Sequence, residues 1–254
     1  TGFASVVTGL VVAATLLFMT PLLYHLPQAT LAAIIVMAVI NLVKIEPIRH
    51  AMKAQRHDGV VAIITFVLTL VVAPHLETAI IVGVVLSLGL YLYRTMRPRF
   101  AELSLHPDGT LRAADEHRLP RSQTVSVLRF DGSLYFANAG YFETQVLANV
   151  ADKPHLKFII IDAEGINEID ATGEEMLSVL AQRLKAAGVQ LMIARAKLQL
   201  MDIFHKTRLI ETLGEQHFFR TRTDAILYAR ANLGDLAGPQ MAPLLRERGE
   251  LVQG

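Results

Sequence analysis

The sequence predicts α-helical membrane spans followed by an α/β domain, and three observations carry that reading. The first 43 residues contain no Asp, Glu, Lys or Arg, although 19% of the whole 254-residue chain is charged. Hydropathy then falls after Arg99, where short apolar strands begin to alternate with amphipathic helices. Seven of the 24 Lys and Arg lie in residues 1–100, and all seven fall in two of the connections that bound apolar runs.

About four spans fit residues 1–96. A hydrocarbon layer about 30 Å thick needs roughly 20 apolar residues in a helix, and fewer where polar flanks snorkel. Residues 1–43 are too long for one span and are interrupted by Pro21 and Pro27, which gives spans at 2–24 and 28–43. Pro27 stands where a helix start tolerates proline. The next apolar runs predict spans at 59–74, ended by Ala73-Pro74-His75, and at 78–94, ended by Arg94.

Charge placement orients them. Lys44, Arg49, Lys53 and Arg56 lie between the second and third spans, and Arg94, Arg97 and Arg99 follow the fourth. The other two connections carry no Lys or Arg, so an even span count puts every cation on the cytoplasmic side, together with the soluble half. Ser5, Gly9 and Ala13 in the first span, and Ala79, Gly83 and Ser87 in the fourth, form small-residue stripes of the kind that let helices approach closely. Such residues are also common in membrane spans generally, and that reading stays open. No span holds a charged residue as an ion relay, and His25 and His75 read as interfacial. The chain opens inside an apolar stretch with no initiator Met and no basic leader, so it reads as a fragment whose upstream part is missing.

The soluble half keeps 17 basic and 20 acidic residues, a mildly acidic balance that argues against nucleic acid as a partner. Without cysteine there are no disulfides and no thiolate metal sites. Residues 97–123 read as a hairpin around Pro107-Asp108-Gly109 and a polar linker. Strands are expected at 125–130, 134–137, 158–162 and 189–194, with Phe218-Phe219 as an edge strand. Helices are expected at 138–150, 174–187, 198–206 and 223–233, giving a mainly parallel sheet over 124–233. The tail, 234–254, reads as disordered.

Enzyme chemistry is not indicated. There is no Gly-rich phosphate loop, no His pair at metal-binding spacing and no nucleophile elbow, so neither a catalytic site nor a cofactor is expected. Asp162, Glu164, Glu168 and Asp170 are clustered acids, which read as solvated loop charges because no base or metal ligand accompanies them.

Asp170-Ala171-Thr172-Gly173, close behind the strand at 158–162, resembles the Asp-Ser-Ser/Thr-Gly signature of STAS domains. Leu26-Pro27-Gln28-Ala29-Thr30-Leu31-Ala32-Ala33-Ile34 resembles the start of a late span in the sulfate permease (SulP) family. Leu209-Ile210-Glu211-Thr212-Leu213-Gly214, Phe218-Phe219 and Asp224-Ala225-Ile226 resemble the end of its STAS domain. The resemblance implies the C-terminal part of a 7+7 inverted-repeat transporter: the last four spans, one of the core domain and three of the gate, followed by the STAS domain. It implies a multi-pass protein of the cell inner membrane that moves sulfate or a related inorganic or small organic anion. H+ and Na+ both stay open as coupling ions. It further implies a homodimer, and a cytosolic protein partner for the STAS domain.

In such transporters the anion lies between facing half-helix N-termini, whose amides favour negative charge without a buried cation. Both half-helices would lie upstream of Thr1, so the resemblance carries no substrate-binding residue onto this chain. Asp170, Thr172 and Gly173 remain as regulatory candidates. The third signature residue is phosphorylated in anti-sigma-factor antagonists and corresponds to Thr172. Thr172-x-x-Glu175 also has the form of a capping box, which accounts for the threonine without phosphorylation. Ala171 replaces a hydroxyl of the pattern, and Glu174 and Glu175 would repel a phosphate. A membrane-tethered STAS interaction module, switched by phosphorylation at Thr172, is the alternative to a transporter.

Overall fold

The computed structural model describes residues 2–23, 27–40, 44–234 and 242–244. The chain divides into two compact units, Thr1–Leu88 and Gly89–Gly254.

The first unit is helical. Helices α1 (Gly2–Leu23) and α2 (Gln28–Ile40) are apolar on every side and carry exposed side chains, with Phe18 82% exposed. A helix that is hydrophobic all round and faces outwards has lipid, not water, as its natural surroundings. Helix α3 (Glu46–Ala54) is short and two-sided. Helix α4 (Arg56–Val71) starts earlier than the apolar run, because extended Gln55 breaks the chain and Asp58 supplies a favourable charge to the first turn. Helix α5 (Leu76–Met96) begins behind Pro74 and runs on into the second unit.

Small residues pack one of these pairs. Ala79 and Gly83 of α5 are buried, and a Cβ on Gly83 would lie 2.7 Å from the Thr65 side chain of α4. The stripe in α1 is different: among the described residues nothing lies within 4 Å of a Cβ built on Gly9. At 22 and 21 residues, α1 and α5 are long enough to cross hydrocarbon unaided.

The second unit is a six-stranded sheet of order β2-β1-β3-β4-β5-β6. Strand β1 (Arg99–Leu105) follows α5 after two residues and pairs antiparallel with both β2 (Leu111–Ala113) and β3 (Val125–Asp131). Gly109, at φ +87°, and Asp108, whose carboxylate accepts from the Thr110 amide, close the β1–β2 turn. After the short α6 (Ala114–His117), strands β3, β4 (Phe158–Asp162), β5 (Gln190–Ala194) and β6 (Phe218–Phe219) run parallel. Helices α7 (Ala139–Ala151), α8 (Ala171–Ala186), α9 (Leu198–Lys206) and α10 (Leu209–Leu213) cover one face, and α11 (Arg222–Leu233) the other.

The continuous apolar strands follow from burial on both faces. Ile159 and Ile161 face α7 and α8, while Ile160 faces α11; Leu191 and Ile193 alternate with Met192 and Ala194 in the same way. Phe142 of α7 meets Phe130 of β3 and Phe100 of β1 edge-on, at 5.2 and 5.9 Å between ring centres.

Three expectations need correction. Residues 134–137 are not a strand: only Leu134 bridges, to Ile169, and side chains take the following amides. Residues 97–123 are more than a connecting hairpin and linker, because β1 pairs with β3 through Arg99–Leu103 and with β2 through Leu103–Leu105, and Ala113, Ala114 and Ser122 are buried. Helix α8 starts at Ala171, three residues before the amphipathic pattern becomes clear. The tail expected to be disordered lies mostly outside the described residues; within it, Ala242–Leu244 forms a 3-10 turn with Leu244 buried beside Leu103.

A buried polar cluster pins β1 to α7. Lys153, just after α7, donates to Glu102 of β1 and to Ser126 Oγ of β3 (2.6 Å), and Asn149 Nδ2 donates to Glu102 Oε2 (3.1 Å). Burial, partly offset by Glu102, pushes the Lys153 ammonium below its ordinary range. Removing one partner strands a buried charge, so Glu102→Ala or Lys153→Ala is expected to cost about 3–5 kcal/mol. The double change Glu102→Leu/Lys153→Met is expected to cost far less. Denaturant unfolding of the detergent-solubilised chain, with hydrogen exchange at the β1 amides, measures both.

Candidate functional site

The signature residues sit where β4 hands over to α8. Asp170 is the N-cap of α8: its Oδ1 accepts from the Gly173 amide at 2.8 Å. Its Oδ2 accepts from the Phe136 amide at 2.9 Å, and its own amide donates to the Leu134 carbonyl at 3.1 Å. One side chain therefore starts a helix and holds the loop that leads into α7.

Gly173 is buried beneath that loop. A Cβ there would lie 2.6 Å from the Leu134 carbonyl oxygen, which is backbone and cannot swing aside. Glycine is required by close approach, not by turn geometry. Thr172 occupies the second helical position and is exposed. The capping-box expectation is thus corrected: the aspartate two residues earlier is the cap, and Thr172 is left without that task.

The same loop reaches the end of α5. Asn138, fully buried, accepts from the Tyr135 amide (3.0 Å) and donates to the carbonyls of Ser133 (2.8 Å) and Thr95 (3.2 Å). Thr95 lies in the last turn of α5, where carbonyls have no helical partner. A continuous hydrogen-bonded path therefore runs from the signature through residues 133–138 to that helix end. Phe136 stands on this loop, 73% exposed beside the signature.

The clustered acids do not converge. Asp162 is 0% exposed and faces Arg222 of α11 at 3.4 Å, which corrects its reading as a solvated loop charge. Burial pushes its carboxyl above the usual range, against the pull of Arg222. Glu164 pairs instead with Arg195 and lies 3.8 Å from Arg129, which also holds Asp131 at 2.7 Å. Glu168 uses its backbone carbonyl, to the Leu134 amide.

These groups lie at the C-terminal ends of the parallel strands, the usual ligand edge of an open α/β sheet. Three acids facing three arginines neutralise one another, so the edge reads as a seam that closes α11 onto the sheet. Sequence reasoning missed Arg195 and Arg222 because their partners lie 31 and 60 residues away along the chain. Among the described residues no group of three His, Asp or Glu forms a metal-ligand set.

Two sequence-family profiles match, the Sulfate permease family over residues 1–65 and the STAS domain over residues 117–225. High affinity sulfate transporter 2 of Stylosanthes hamata is 29% identical over 238 residues, covering 89% of this chain and 36% of the relative. The murine Solute Carrier 26 family member A9 anion transporter, solved in the inward-facing state, superposes with TM-score 0.71 at 25% identity. That match covers 91% of this chain and 38% of the transporter. Along most of its length the chain is similar to members of the sulfate permease family. It is a membrane protein of apolar helices followed by a STAS domain. Sulfate transporter 1.1 of Arabidopsis thaliana is a further relative, 28% identical over 89% of this chain and 36% of its own length. The chain thus spans little more than a third of the relatives it matches. In this chain the STAS fold extends beyond the matched span, taking in β1 and β2 before it and the end of α11 after it.

Two predictions follow from the site. Asp170→Ala removes a cap and a loop anchor and is expected to cost about 1–2 kcal/mol, whereas Thr172→Ala is expected to change stability by less than about 0.5 kcal/mol. Thermal unfolding of the two variants side by side separates the cap from the exposed hydroxyl. For Asp162 the folded carboxyl titrates above the reference 3.8. Its stabilising contribution is complete below that value and is lost as pH rises through the folded one. The stability difference between wild type and Asp162→Asn is therefore expected to favour wild type most in acid and to shrink towards neutrality, read from unfolding midpoints across pH.

Proposed function

We propose that these residues are the C-terminal part of a secondary anion transporter of the cell inner membrane. Helices α1, α2, α4 and α5 are its last four spans and the STAS domain is cytoplasmic. One observation carries the reading: apolar helices and a STAS domain follow each other in one chain, and 91% of this chain aligns with 38% of an anion transporter. The placement of all seven cations of residues 1–100 in two connections supports the orientation. Sulfate, bicarbonate and dicarboxylates are the candidate substrates. The anion site belongs to the parts of the longer relatives that this chain does not span.

The STAS domain regulates the transporter or carries its dimer contacts. The Asn138 link to the Thr95 carbonyl supports a route by which occupancy of the signature surface is felt at α5. A specific observation also favours the phospho-switch reading: Thr172 is exposed and is not the helix cap, so a kinase would find its hydroxyl uncommitted to that role. A phosphate there would add roughly −1.5 to −2 charge near the positive end of α8, opposed by Glu174 and Glu175.

Proteoliposomes carrying the longer protein are expected to take up at least one of the three anions, and residues 1–254 alone to take up none. A longer protein that moves no anion under any gradient ends the transporter reading.

A further inference from the structure

Helix α3 is the most sharply two-sided element of the first unit, and nothing above gives it a task. At helical spacing Pro47, Ile48, Ala51, Met52 and Ala54 fall on one side, and Glu46, Arg49, His50 and Lys53 on the other. The apolar side is turned towards α4. Ile48 and Ala51 are half-buried, and Met52 lies so close to Gly59 that a Cβ on the glycine would overlap the thioether. The polar side is exposed at Arg49, His50 and Lys53. Lys44 before the helix and Arg56 after it are exposed as well, which makes four permanent cations against Glu46 and Asp58.

Length decides what such a helix does beside a membrane. Nine residues rise about 14 Å, too little to cross a hydrocarbon layer of about 30 Å, but enough to lie along its surface. Its neighbours in the chain, α2 and α4, are both apolar. Where those two cross the bilayer, the connection between them reaches the boundary, where the nearest groups of opposite charge are lipid phosphates.

We propose that α3 is an interfacial helix whose basic side takes the phosphates of anionic phospholipids, an inference that rests on reading α2 and α4 as membrane-spanning. Its apolar side seals onto α4 at the level of the acyl chains. Arg49 and Arg56 match phosphate oxygens in the two-pronged geometry of guanidinium, and Lys53 adds a point charge between them. The exposed imidazoles of His50 and His57 border the same surface.

The chain has no cysteine, so single nitroxide labels report depth without background. Ala51→Cys, His50→Cys and, as a reference in α4, Val67→Cys are labelled in the full chain reconstituted in phosphatidylcholine–phosphatidylglycerol bilayers. Labels at 67 and 51 are expected to favour oxygen over an aqueous nickel chelate, and the label at 50 the reverse. Lipid retained on the purified chain is expected to be enriched in phosphatidylglycerol. Arg49→Gln/Lys53→Gln/Arg56→Gln is expected to lower that enrichment several-fold, on the order of fivefold for each cation fully engaged. Arg49→Lys/Arg56→Lys keeps most of it. Raising salt on the unaltered chain lowers it with no change of sequence.

Enrichment unmoved by both the neutral triple change and salt overturns the headgroup assignment. Labels at 50 and 51 equally aqueous, with 67 in hydrocarbon, overturn the interfacial helix. A label at 67 in water overturns the membrane-spanning reading itself and the inference with it.

Discussion

The antiparallel pairing of β1 with β3 is the constraint on which the second unit depends. It runs from Arg99 opposite Asp131 to Leu103 opposite Val127, and it begins two residues after α5 ends. Without it β3 would be an open edge, with a row of unpaired backbone groups. With it, Glu102 is carried beneath α7 to meet Lys153, and Phe100 is set against Phe142.

The signature makes sense as an accounting of backbone groups. A helix start leaves amides without partners, and a loop packed over it leaves more. Asp170 answers both, giving one oxygen to Gly173 and the other to Phe136, and Asn138 answers the next loop amide and two carbonyls. Gly173 is small because the Leu134 carbonyl occupies the place a side chain would take. These residues would be retained for architecture even in a chain that is never phosphorylated. Thr172, exposed on the first turn, is the member that architecture does not explain.

In the first unit the same economy appears with different forces. Lipid tails are as apolar as leucine, so helices there gain little from burying apolar area and associate through close contact. Gly83 against Thr65 is such a contact, and Met52 against Gly59 is another. Among the described residues, the large apolar side chains of α1 and α2 point outwards, as a bilayer allows and water does not.

Sequence alone determined the broad order: apolar helices, then an α/β domain whose strands at 158–162 and 189–194 could be read from unbroken apolar runs. Asp170, Thr172 and Gly173 were legible as a motif because that pattern is local. Their tasks were not. Which residue capped α8 depended on an extended backbone at Asp170 and on a loop 34 residues earlier in the chain offering the Phe136 amide. The strand expected at 134–137 failed in part for the same reason, since Asp170 took the Phe136 amide and the nearer Asn138 the Tyr135 amide, leaving neither for a neighbouring strand. Asp162 read as a solvated loop charge, and nothing local marked Glu102, Lys153 or Arg222 until the fold brought each pair together. Periodicity and composition report what a segment buries. Only tertiary structure decides which buried polar group meets which, because that pairing is set by strand order and not by spacing along the chain.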